Sequence, residues 1–263
     1  MQSNKREGIL KFAKPDQVLY QRASATITSY LSEADSSGNE IGVAHGSVFV
    51  DPTHLDAINY PIANLFLLAI SGISFKKSLT AKHICLNVNE GLREKLMLTN
   101  IRKNKLDRMA EIAWYQKNSY CIHVSDEGDE QTKYAIMLKH LNTFFHETYG
   151  LKGWLESKQV KCFALIRTSQ ICTPVRQVID ETENEYIEAS GKPADLAYLL
   201  NSHKNNFLDC PIIDETDFSG VVTIKIPADL SSVDVINTEL KPYGLKLVEA
   251  EKKIRVVVIE STD

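Results

Sequence analysis

From Ile62 onward one local pattern comes round four times: an amphipathic helical stretch, a turn, then apolar segments spaced as strands. No such unit can bury its apolar face alone, so the units must associate and lay helices over sheets. The expected fold class is α+β, with two similar subdomains of paired helix-strand-strand units whose helices pack on small mixed or antiparallel sheets. The period varies between units, which excludes a solenoid.

In the first unit Pro61 suits the opening of a helix, Ile62, Leu65, Phe66 and Ala69 share one stripe, and Gly72 can close it. Ile84, Leu86 and Val88 then alternate with His83, Cys85 and Asn87 as a half-buried strand does. The second unit places Tyr134, Met137, Leu138, Leu141 and Phe145 on one helical face that stops at Gly150. Its strand, around Val160 to Ile166, is apolar on both faces over part of its length and is expected to be central. The third opens at Pro193, turns Leu196, Leu199 and Leu200 inward, and continues into strands at Pro211-Ile212-Ile213 and Val221 to Ile226. Ser231 and Asp234 form a variant capping box for the fourth helix, which carries Val233, Ile236 and Leu240 and ends at Pro242 and Gly244. A hairpin of Leu245 to Glu249 and Ile254 to Ile259 completes the chain.

The second and fourth units also match in residues. Asn142-Thr143 before Tyr149-Gly150-Leu151-Lys152 echoes Asn237-Thr238 before Tyr243-Gly244-Leu245-Lys246, one residue apart in spacing, and duplication explains both. Ahead of the units, Tyr20 to Tyr30 and Val43 to Asp51 read as the strands of a long-loop hairpin around the polar Ser32 to Asn39. Glu90 to Asn118 is charged and partly helical. The expected organisation is a tail over 1–19, a first subdomain over 20–172, an acidic connector over 173–190 and a second subdomain over 191–263.

Composition removes several function classes. A formal net charge of -4, without Lys/Arg stretches interleaved with stacking aromatics, argues against nucleic acid. The densest basic run, Arg102-Lys103-Asn104-Lys105, continues into Leu106, Met109 and Ile112 as one solvated helix face. No stretch has the ~18 apolar residues of a membrane span, and the start of the chain has no signal-peptide apolar region, which by itself points to cytoplasm. Cys85, Cys121, Cys162, Cys172 and Cys210 make no C-x-x-C. Cys85 and Cys162 lie in alternating apolar runs, where cysteine acts as a small buried hydrophobe.

Motifs for chemistry are incomplete. His146-Glu147-Thr148-Tyr149-Gly150 begins as a zinc-protease helix does, but Gly150 stands where the second histidine is needed. Asp126-Glu127-Gly128-Asp129-Glu130 lacks the alternating ligands of a calcium loop. Ala189-Ser190-Gly191-Lys192-Pro193 has the Gly-Lys of a phosphate loop without its upstream glycine or its Ser/Thr, and reads as a linker. No serine elbow occurs, and no Cys, His and acid share a recognisable spacing. Trp114, Tyr115, Tyr120 and Trp154 could line a binding face, although core or hairpin packing accounts for each of them. No catalytic or metal residue and no cofactor is therefore expected, and the binding residues stay open.

The runs Met137-Leu138, Leu141-Asn142, Val160-Lys161-Cys162 and Leu165-Ile166-Arg167-Thr168, with Pro211 to Thr216, Phe218-Ser219-Gly220, Tyr243-Gly244-Leu245 and the Ile254 to Ile259 strand, resemble a bacterial family. It is the soil-associated domain of unknown function found C-terminal to the TlpA-like thioredoxin domains of envelope thiol-disulfide oxidoreductases. The chain departs from it at Asp217, where the family often has glycine. The helix-strand-strand pairs also look like the short N-terminal domain of secretins and TonB-dependent receptors. The resemblance implies the C-terminal part of a longer exported protein, a periplasmic or cell-envelope location, and a protein or peptide partner there. It carries over no catalytic residue. The expected function is a non-catalytic accessory or interaction module; the alternative is an enzyme, as the substrate-positioning tail of a thiol-disulfide oxidoreductase or as a cryptic hydrolase.

Overall fold

A computed structural model describes residues 18–34, 40–42, 46–74, 79–98, 108–169, 186–203, 208–227 and 230–262. The basic run at 102–105, Cys172 and the connector up to residue 185 lie outside them. In chain order the elements are β1 (Val18–Arg22), β2 (Ala25–Ser29), β3 (Ser32–Ala34), β4 (Glu40–Gly42), β5 (Ser47–Val50), β6 (His54–Pro61), α1 (Ile62–Ser74), β7 (Ile84–Asn87), α2 (Glu90–Leu96), α3 (Arg108–Asn118), β8 (Ser119–Ser125), α4 (Glu130–Tyr149), β9 (Leu151–Arg167), β10 (Tyr186–Gly191), α5 (Pro193–Ser202), β11 (Ile212–Asp214), β12 (Val222–Pro227), α6 (Val233–Leu240) and β13 (Leu245–Ser261). This is an α+β fold.

The chain divides into two compact units. The first comprises Met1–Lys77, Ile84–Leu155 and Val257–Asp263; the second comprises Ser78–His83 and Glu156–Val256. In the first unit an antiparallel sheet runs β1-β2-β8-β6-β5. Helices α1 and α4 pack together over it, burying Ile62, Leu65, Phe66 and Ala69 from one and Tyr134, Met137, Leu141 and Phe145 from the other. Strand β7 runs parallel to the end of β13, with Val257 opposite Ile84. In the second unit β10 pairs antiparallel with β12, β11 runs parallel to β9, and α5 and α6 close a core that includes Leu196, Leu200, Ile224, Ile236, Leu240 and Leu247.

The chain thus makes four strand-helix-strand passes whose first strands are antiparallel neighbours in pairs, β6-α1-β7 with β8-α4-β9 and β10-α5-β11 with β12-α6-β13, and β9 and β13 each run from one unit into the other. The matched residues do the same work in each. Asn142 accepts from the N–H of Gly153 at 2.7 Å and donates to its carbonyl at 3.0 Å, and Asn237 holds Leu247 in the same way at 2.6 and 3.0 Å. Asn201 does so again at Ile212, with both bonds at 2.7 Å. One planar amide thereby satisfies a donor and an acceptor of the following strand, fixing its register against the helix that precedes it. Thr143 and Thr238 each return a hydroxyl to the carbonyl four residues back. Gly150 and Gly244 both turn the chain with left-handed φ, 68° and 69°, which glycine enters without a Cβ penalty.

Several expectations are corrected. Gly72 does not end the first helix, which runs on to Ser74; a Cβ there would stand 2.1 Å from Tyr134 Cδ2, so glycine is the residue that lets α4 approach α1. Pro61 closes β6 rather than opening the helix. Ser232, not Ser231, caps the fourth helix, accepting from the N–H of Val235. The terminal hairpin is one continuous 17-residue strand, β13, because Ala250 to Lys253 hold no turn-forming residue and alternate through the expected reversal. The segment 189–193 is no linker: β10 reaches Gly191, and Pro193 opens α5. Among the described residues, Tyr20 to Tyr30 and Val43 to Asp51 do not pair with each other. The first folds into β1 and β2, and the second supplies β5, which pairs with β6. Cys162 is buried as expected, but Cys85 is half-exposed.

Gly72→Ala gains helix propensity of ~1 kcal/mol but forces the buried Tyr134 ring aside, so it should lower stability by about 2 kcal/mol net. Chemical denaturation of the variant measures this; a variant as stable as the parent would contradict the packing.

Candidate functional site

The sheet of the first unit turns Leu55, Ala57, Ile122 and Val124 into its core. Alternation then places His54, Asp56, His123 and Ser125 on the other face. Cross-strand register sets Asp56 opposite His123 and His54 opposite Ser125, so four polar side chains distant in sequence meet on two neighbouring strands. The Asp56 carboxylate is buried, its side chain 2% exposed.

A line of hydrogen bonds crosses this face. His123 Nδ1 lies 2.6 Å from Asp56 Oδ1, and His123 Nε2 lies 2.8 Å from the Ser125 hydroxyl. A carboxylate oxygen accepts, which places the imidazole proton on Nδ1 and leaves Nε2 free to accept from Ser125. That tautomer makes Ser125 a serine with a base at its hydroxyl. The second histidine is bound to the same acid: His54 Nε2 is 3.4 Å from Asp56 Oδ2, and its Nδ1 is 2.9 Å from Asp51 Oδ2. Asp51 anchors the turn between β5 and β6, its Oδ1 accepting from the N–H groups of Thr53 and His54 at 2.7 and 2.8 Å and from the Thr53 hydroxyl. Desolvation is the largest influence on the Asp51 carboxyl and raises it, yet these hydrogen bonds together leave it below its ordinary value.

The neighbouring main chain is already engaged. The Ser125 N–H donates to the Ser24 carbonyl at 3.1 Å, and the Asp126 N–H donates to that of Thr53 at 3.0 Å. Neither donor is available to a developing oxyanion, and losing one such donor costs about 10²–10³ in rate. The arrangement therefore suits acyl groups with good leaving groups, whose cleavage demands less charge stabilisation.

His140 makes a useful contrast. Tyr20 OH and Ser24 Oγ each sit 2.9 Å from one of its ring nitrogens, and the ring is buried. Burial, with smaller contributions from Lys139 and Arg22, holds its pKa below the ordinary value; burial does the same to His83, partly opposed by the Thr80 main chain. Both are depressed in the folded state, so the unfolded chain takes up these protons first. Stability should be intact above about pH 6.5, fall as pH drops through that value, and continue to fall until the folded-state pKa is passed. Thermal melts from pH 7.5 to 5 should show this, with a shallower slope for His140→Gln; an unchanged slope would contradict it.

The residues singled out in sequence lie elsewhere. His146 is at the end of α4, its Nδ1 3.3 Å from the Thr262 hydroxyl. Asp129 caps α4 by accepting from the Thr132 N–H, and Asp126 accepts from the Gly128 N–H. The Trp114 indole donates to the Glu94 carbonyl, the Tyr120 hydroxyl meets that of Tyr149 at 2.8 Å, and Trp154 is 36% exposed. Among the described residues no His, Cys, Asp and Glu group forms a metal site, and no helix is long and apolar enough to cross a membrane. None of the four relay residues stands out in the sequence. Their signal, His54-x-Asp56 and His123-x-Ser125, is two alternations of the kind any strand can carry. No protein-family model matches the chain, and no curated protein or solved structure matches it either.

Proposed function

We propose that the open sheet face of the first unit is an acyl-transfer site, with Ser125 the nucleophile, His123 the base and Asp56 the group that orients it. The carrying observation is the unbroken line from the buried Asp56 carboxylate through His123 to the exposed Ser125 hydroxyl. In the first step His123 Nε2 takes the Ser125 proton as Oγ bonds to the ester carbonyl carbon. The bond to the leaving alcohol then breaks, and the alcohol departs with that proton. Water attacks the acyl-serine with His123 again as base, releasing the acid and restoring the hydroxyl. The fitting substrates are small activated esters.

Hydrolysis of 4-nitrophenyl acetate by the full chain tests this. Wild type should release nitrophenol well above the buffer rate, and Ser125→Ala should remove about 99% of that excess. Equal rates for the two proteins would sink the proposal.

A second reading, an accessory module of an envelope thiol-disulfide oxidoreductase with a protein or peptide partner, is favoured by where the family likeness falls. Asn142 and Tyr243-Gly244-Leu245 are clamp and cap residues of the duplicated frame, so the likeness follows the fold and bypasses the relay. The coding frame upstream of this segment tests it: a leader and a Cys-x-x-Cys domain support it, and their absence removes it.

A further inference from the structure

The second unit has a cavity of ≈ 450 Å³ on the β9–β13 side of its core, and two of its lining residues are the free thiols Cys162 and Cys210. Lys161, Glu249 and Glu251 supply its charges, and Phe163 part of its apolar wall. Cys162 is on β9, where its thiol reaches the Ala250 carbonyl at 3.6 Å. Cys210 lies in the bend just before β11. Parallel pairing of Ile212 with Phe163, and the Phe163 N–H donating to the Pro211 carbonyl at 2.8 Å, put Cys210 one residue along from the position beside Cys162. Both thiols line the same cavity, and Cys210 stands near enough to Cys162 to add to the burial that raises its thiol.

We propose that Cys210 and Cys162 form a thiol–disulfide exchange site, with Cys210 the attacking thiol and Cys162 the resolving one, for small cationic disulfides. The order follows from exposure: Cys162 is 2% exposed, while Cys210 is half-exposed. Burial also raises the Cys162 thiol above its ordinary pKa, making it the poorer first nucleophile. Deprotonated Cys210 attacks one sulfur of RS–SR; the S–S bond breaks, RS⁻ leaves, and a mixed disulfide remains on Cys210. Deprotonated Cys162 then attacks the Cys210 sulfur, expelling the second RS⁻. The protein loses two electrons and two thiol protons, and the small disulfide becomes two thiols. Two glutamates against one lysine make the cavity net negative, which selects cationic over anionic disulfides. Cys121 is unsuited to this chemistry: burial, partly opposed by bonds from Asn59, Leu31 and Thr28, pushes its thiol up to about 11.

The test treats the reduced full chain with cystamine or with glutathione disulfide and follows intact mass and peptide maps. Wild type should lose 2 Da through a Cys162–Cys210 link, about tenfold faster with cystamine at low salt, with the difference shrinking as salt rises. Cys162→Ser should stop at a cysteamine adduct on Cys210, and Cys210→Ser should lose the fast reaction. A lasting adduct in wild type, or a link between other cysteines, would overturn the pairing. A preference for glutathione disulfide would overturn the specificity. Because the wild-type map alone decides the pairing, a variant that fails to fold does not remove the test.

Discussion

Asp56→Asn should slow acylation of the chain by about a hundredfold while leaving its fold intact. Asparagine has the shape of aspartate, but its amide nitrogen can donate where the carboxylate only accepts. An amide turned toward His123 Nδ1 moves the ring proton to Nε2, so the imidazole presents a donor to the Ser125 hydroxyl and can no longer take its proton. Asp56 also receives His54, so the variant leaves that histidine with Asp51 alone. Pre-steady-state release of nitrophenol should fall with little change in far-UV circular dichroism. A rate unchanged by Asp56→Asn would mean that Asp56 does not set the base.

Phe145→Ala should cost about 4 kcal/mol. Phe145 is fully buried, with the rings of Phe144, Tyr120, Phe66 and Tyr149 at centroid distances of 4.9, 5.2, 6.0 and 6.3 Å. These four rings belong to α1, β8 and α4 itself, so the hole left by truncation cannot be filled without moving a helix from the sheet. The midpoint of thermal unfolding should drop by about 10 °C. Trp154→Ala, at a 36% exposed position on β9, should change stability by less than about 1 kcal/mol. Equal losses from the two truncations would contradict this assignment of the core.

The apolar stripes of α1, α4, α5 and α6 were legible in sequence because they are local. Tyr134, Met137, Leu141 and Phe145 follow one another at helical spacing until a left-handed Gly150, and Pro193 opens α5. The echo of Asn142 in Asn237 was visible as letters; the structure gives its cause, an amide that clamps the next strand. The two strands that build the relay were not legible. β6 carries Asp56 and Asn59, residue types that strands disfavour, and Asn59 takes a φ of 56° where the pairing with β8 shifts register. That conformation is held from outside the strand, since Asn59 accepts from the Leu31 N–H at 2.9 Å and donates to its carbonyl at 3.0 Å. β8 begins immediately after α3, with no glycine or proline to announce the change. The relay itself needs His123 beside a residue 67 positions earlier, a proximity that sheet order creates and local spacing does not record.

If the Asp56–His123–Ser125 line makes one serine nucleophilic, the acyl group must sit on that serine. The chain would be quenched in acid during reaction with 4-nitrophenyl acetate, digested, and mapped by mass spectrometry. An acetyl group should appear on Ser125 in wild type and none there in His123→Ala. Acetylation spread over lysines and other serines, or a Ser125 adduct that survives the loss of His123, would contradict it.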